Sequence, residues 1–91
     1  MAMYTVHLMA MYTVHKGARY RAVIALNFWE QVASNDAIKE KLVEVGFTDV
    51  QVIGSGHVRN AEATWPLADA TAQVPPQVIS VRQIETQIAS R

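Results

Sequence analysis

The stretch Ala18 to Phe28, ARYRAVIALNF, changes character at every second residue. Tyr20, Ala22, Ile24, Leu26 and Phe28 fall on one side of this alternation, and Arg19, Arg21, Val23, Ala25 and Asn27 on the other. A period of two predicts a strand with one fully apolar face. The second side turns apolar at Val23 and Ala25, which predicts a central place in a sheet. The period then lengthens. Ile38, Leu42 and Val45 follow one another at helical spacing, with Lys39, Glu40, Lys41 and Glu44 between them. This predicts an amphipathic helix from about Asp36. Ser34, Asn35 and Asp36 offer its start, and Asn27 with Glu30 offers an earlier one in the manner of a capping box. Gly46 marks the stop, with Phe47 packing back on the last turn.

Beyond it, Val50 and Val52 share one face of a short strand. Gly54-Ser55-Gly56 turns the chain, and Val58 to Trp65 returns with Arg59, Ala61, Ala63 and Trp65 on one face. Pro66 ends that strand by removing a ladder donor. Residues 66–76 read as a loop with a brief extended piece at Thr71 to Val74. Val78, Val81, Ile84 and Ile88 predict a second amphipathic helix, entered through Pro75 and Pro76. A strand is rejected there because alternation sets Arg82 on the face of Val78 and Ile84.

The order is thus β-α-β-β-α, an α+β chain. It resembles a ferredoxin-like sandwich lacking its last strand, with two helices on one face of an antiparallel sheet. The vacant edge needs covering or a further strand. Met11 to His15, MYTVH, is rich in strand formers and precedes Lys16-Gly17, so it is expected to hairpin onto the first strand or extend it, as an added edge strand.

That segment belongs to a duplication. Met1 to His7 recurs unchanged as Met9 to His15, with Leu8 between. Residues 1–8 read as a duplicated, tag-like start, leaving 9–91 as a single domain; a unit of seven is too short for a solenoid repeat. A second reading is a strand written twice, whose even offset lets it slip in register without changing faces. A metal-binding arm of His7 and His15 is disfavoured, since eight extended residues separate them by ~26 Å.

Composition narrows the function classes. With 91 residues, 51% of them apolar and 18% charged, the chain is in the range of one folded domain. Eight basic residues balance eight acidic ones. A neutral chain lacks the long-range field that draws nucleic acid or an anionic membrane, and neutrality favours self-association. The absence of cysteine removes disulfides, thiolate metal sites and a cysteine nucleophile. The longest apolar run, Ala22 to Leu26, is too short to span a membrane. No leader-like segment precedes it, and the expected location is cytoplasmic.

Candidate chemistry is sparse. Ser55, His57 and Arg59 near the glycine turn, with Glu62 beyond, are the candidates for a small-molecule pocket or an enzymatic site; the ordinary role of such residues is an exposed turn and a charged edge. Tyr20 and Trp65, with the Lys16, Arg19 and Arg21 cluster, are the candidates for a nucleic-acid surface. The alternative for Tyr20 is the apolar row under the helices. No serine-histidine-aspartate or paired-histidine spacing is present. The sequence therefore predicts no catalytic residues, no cofactor and no metal. It predicts a small domain acting by self-association, as a homodimer or higher oligomer through a sheet edge, or by binding a protein partner.

Overall fold

The computed structural model describes residues 10–27 and 33–84. Among them the order is β1 (Met11–Val14), β2 (Arg19–Ala25), α1 (Asn35–Val45), β3 (Thr48–Ser55), β4 (Val58–Thr64), β5 (Ala70–Gln73) and β6 (Val78–Ile84). Four strands form one sheet in the order β3-β4-β2-β6, and β1 pairs with β5 in a separate ribbon. Every pairing is antiparallel. Since β2 and β3 both oppose β4, they run parallel to each other with β4 between, and α1 is the crossover that joins them.

This corrects the expected β-α-β-β-α arrangement. One helix is present among the described residues, not two, and the molecule is mostly sheet. The segment expected to be the second helix is β6 up to Ile84, and Ile88 lies outside the described residues. Val78, Ile79, Val81 and Ile84 are β-branched, which lowers helix propensity and fits a pleated surface. The objection raised by Arg82 is met by a bulge. Val23 opposes Ser80 but Ile24 opposes Val78, so Ile79 is the extra residue. Val78 is thereby moved to the helix side, while Ser80, Arg82 and Ile84 share the other side with Val23, Arg21 and Arg19. Met11–Val14 is a strand, as expected, but it pairs with β5 and not with β2. The brief extended piece of the 66–76 loop is β5. The earlier helix start, through Glu30, falls outside the described residues.

Strand β4 divides the molecule. Arg59, Ala61 and Ala63 are buried and lead to buried Trp65, while Asn60, Glu62 and Thr64 alternate with them on the open side. Tyr20 and Ile24 on β2 lie across from Ala63 and Arg59, so they complete the inner row. Val50 on β3 joins them through a second bulge: Thr48 opposes Thr64, Gln51 opposes Glu62, and Asp49 between them takes φ 52°. Aspartate tolerates that left-handed conformation better than most residues.

Helix α1 lies against β3. Its first turn is capped by Ser34, whose side-chain oxygen accepts the Ala37 N–H at 3.0 Å. Its end is closed twice over, by Phe47 N–H to the Leu42 carbonyl at 3.1 Å and Gly46 N–H to the Val43 carbonyl at 3.0 Å. Ile38 and Leu42 are half-buried, whereas Val45 faces solvent. The turn delivers Phe47 edge-on to Trp65, with ring centroids 4.9 Å apart. Gly46 takes φ 129°, and a Cβ there would stand 3.0 Å from Leu67 Cδ1 and 3.1 Å from the Trp65 ring. Gly46→Ala is therefore expected to destabilise the fold by about 1–3 kcal/mol, read as a lowered denaturant midpoint with unchanged slope.

Candidate functional site

The open side of the sheet gathers the polar side chains. Register places Gln51, Glu62, Arg21 and Arg82 in one row across β3, β4, β2 and β6. Ile53, Asn60, Val23 and Ser80 form the next row, and Thr48, Thr64, Arg19 and Ile84 the row on the other side. Arg21, Gln51, Ile53, Asn60 and Glu62 line a shallow groove of about 240 Å³.

Glu62 organises this face. Arg21 Nε and Nη2 both donate to its Oε2, at 2.9 and 2.5 Å. Arg19 Nε lies 3.6 Å from its Oε1. Arg19 Nη1 also reaches the Thr64 hydroxyl, the Asp49 carbonyl and the Asp49 carboxylate. The hydrogen bonds from Arg21 hold the Glu62 carboxyl below its ordinary range against the opposing effect of burial, with the Arg19 charge adding to them. Two of the three cations of the basic cluster are thus matched by carboxylates. Arg82, directly across from Arg21, makes no ion pair among the described residues. The sequence did not single out Arg82, Gln51 or Asn60 as site residues. Their signal was alternation, hidden for Arg82 by the helical reading of its segment.

The suggested pocket residues separate. Arg59 is buried on the helix side, 4% exposed, and Glu62 projects from the opposite face. Arg59 donates to the carbonyls of Gly56 (3.1 Å) and Ala33 (2.8 Å) and to Asn35 Oδ1 (2.9 Å). Asn35 Nδ2 in turn donates to the Gly54 carbonyl at 2.9 Å. This cluster ties the start of α1 to the β3–β4 turn, so it is structural chemistry. His57 Nδ1 meets the Leu26 carbonyl at 3.1 Å, and Ser55 is exposed at the end of β3.

The aromatic candidates are inside. Tyr20 and Trp65 are 4% and 7% exposed, which leaves no ring face for a base to stack on. The Tyr20 hydroxyl accepts the His15 N–H at 2.6 Å, and the Tyr12 ring meets Tyr20 edge-on at 5.8 Å. Trp65 Nε1 donates to the Ala68 carbonyl at 2.8 Å. Lys16 is exposed in the turn after β1, and its N–H donates to Asp69 Oδ1 at 2.8 Å. His15 Nδ1 holds the other Asp69 oxygen at 3.0 Å. Among the described residues no three acidic or histidine side chains are placed to hold a metal ion. No helix among them is long and apolar enough to cross a membrane.

The chain matches no protein family, no curated protein and no solved structure, so its functional reading rests on its own geometry. The carboxylate between two guanidinium groups makes a clear demand. Glu62 has a lowered pKa in the fold, so its contribution is present above the unfolded carboxylate pKa and fades as pH falls through the folded one. Glu62→Gln is expected to cost ~1 kcal/mol at neutral pH, because it leaves Arg19, Arg21 and Arg82 adjacent. The cost should shrink in high salt and on acidification, both measurable by thermal melts.

Proposed function

We propose that this domain acts by association, adding a strand from a protein partner, in the first place a second copy of itself, to the outer edge of β6. The observation that carries this reading is the character of that edge. β6 ends the sheet order and is seven residues long. Its members Val78, Ile79, Val81 and Ile84 are apolar and β-branched, and Arg82 is its one charge. Ile79, pushed out by the bulge, is 63% exposed. Tyr12 meets the Gln83 backbone at one end of this edge, and a long apolar edge strand is a template for another strand.

The opposite edge is guarded. On β3 the Asp49 bulge twists one end, α1 lies against the strand, and Gly54 takes φ 107° at the other end. A Cβ at Gly54 would stand 2.8 Å from the Val58 carbonyl, so that kink is built into the turn. Zero formal charge sets no long-range repulsion between copies. Two-fold pairing centred on Val81 sets Arg82 across from Ser80 of the other copy and keeps the two arginines apart. It also leaves both helices on one face of a continuous sheet. The open face supports association more than nucleic-acid binding, because Arg19 and Arg21 are already matched by Glu62 and Asp49.

Light scattering over a concentration series tests the reading. The full chain is expected to reach the mass of a dimer, and Ile79→Lys to remain a monomer that still unfolds in one cooperative transition. A parent chain that stays monomeric throughout, or a lysine variant that still dimerises, contradicts it.

A further inference from the structure

The ribbon explains what the duplicated heptapeptide can do. β1 pairs with β5 through Met11 and Gln73, Tyr12 and Ala72, Thr13 and Thr71, Val14 and Ala70. The Thr13 and Thr71 hydroxyls meet at 2.6 Å. Val74 N–H donates to the Ala10 carbonyl at 2.8 Å, and His15 holds Asp69 and Tyr20 as described. Each side chain in this set on the β1 strand belongs to the second heptapeptide copy, Met9 to His15. The next residue, Lys16, adds only its backbone N–H. The first copy, Met1 to His7, followed by Leu8, carries the same side chains and the same N–H in the same order.

We infer that the β5 edge is a docking site for either copy, and that Met3–Val6 of the same chain exchanges with Met11–Val14 in it. The offset of eight residues is even, so every side chain keeps its face after the exchange. Tyr4 then takes the place of Tyr12, Thr5 that of Thr13, and His7 that of His15. A four-residue, two-stranded ribbon is a weakly held element, which permits the exchange. The two states differ in the link to β2. It runs over residues 15–18 in the observed state and 7–18 in the exchanged one. That threefold lengthening lowers the exchanged population about fivefold. Loss of the turn bond from Ala18 N–H to the His15 carbonyl, 3.1 Å, lowers it by up to about a further tenfold. The observed pairing is therefore the major one, and exchange releases the seven-residue Met9–His15 copy into the link between the docked copy and β2.

The absence of native cysteine makes a clean test. Thr13→Cys with Thr71→Cys reports the observed state, since directly paired strand positions suit a disulfide. Thr5→Cys with Thr71→Cys reports the exchanged one. Thr5→Cys with Ala72→Cys is the control, because Ala72 points to the other face. Dilute protein is oxidised, and products are separated without reductant. The Thr5–Thr71 pair is expected to close within the monomer about five- to fifty-fold more slowly than Thr13–Thr71, with the control slower still. No closure, closure no faster than the control, or a product of dimer mass overturns the inference. A tag-like start outside the fold gives the first or second of these. Dimerisation through β6 is read separately and does not decide the result.

Discussion

Every second residue of β4 is held away from water, and that single alternation sorts the whole molecule. Its inner row begins with Arg59, continues through Ala61 and Ala63, and ends at Trp65. Its outer row presents Asn60, Glu62 and Thr64 to the open face. Because β4 lies between the two parallel strands of the crossover, each neighbour inherits the same division. A one-residue slip would expose the core and bury Glu62, so the register is strongly specified.

The inner row is short and its core is small. Two alanines in its middle contribute little apolar area, so among the described residues Tyr20, Ile24, Val50 and Trp65 supply most of the buried bulk. This is where a buried guanidinium becomes useful. Arg59 reaches the chain on both sides of the Ser34 cap and the β3–β4 turn at once, fixing how the helix enters. Trp65 does the corresponding task at the other end. It receives Phe47 from the helix stop, accepts the Gly17 N–H at its carbonyl, and thereby joins α1 to the ribbon. The helix is secured at its two ends by a cation and an aromatic pair.

Much of this was legible in the residues. The alternation of Tyr20, Ile24 and their neighbours marked a central strand, and β2 has a partner on both sides. The Ser34 start and Gly46 stop of α1, and the inner row Arg59 to Trp65, also stand where the pattern set them. The misread element was Val78 to Ile84. A bulge inserts one extra residue, Ile79, into the period of two, and the interrupted pattern mimics helical spacing; only the pairing with β2 reveals it. The open face was missed for the same reason, since Arg82 joins Arg21 only once β6 is a strand. Long-range pairing also decided β1, whose sequence announced a strand but not its partner. For the site, single residues were visible and their neighbours were not. Arg59 and Glu62 are three apart in the chain, yet stand on opposite faces.

We propose that another strand completes the outer edge of β6. Amide hydrogen exchange along β6, followed at low and high protein concentration, tests this most directly. Amides on the outer side of β6, Val81 above all, are expected to become protected as concentration rises, while those on the guarded edge of β3 do not change. Exchange along β6 that is independent of concentration, or protection that rises equally on β3, would contradict it.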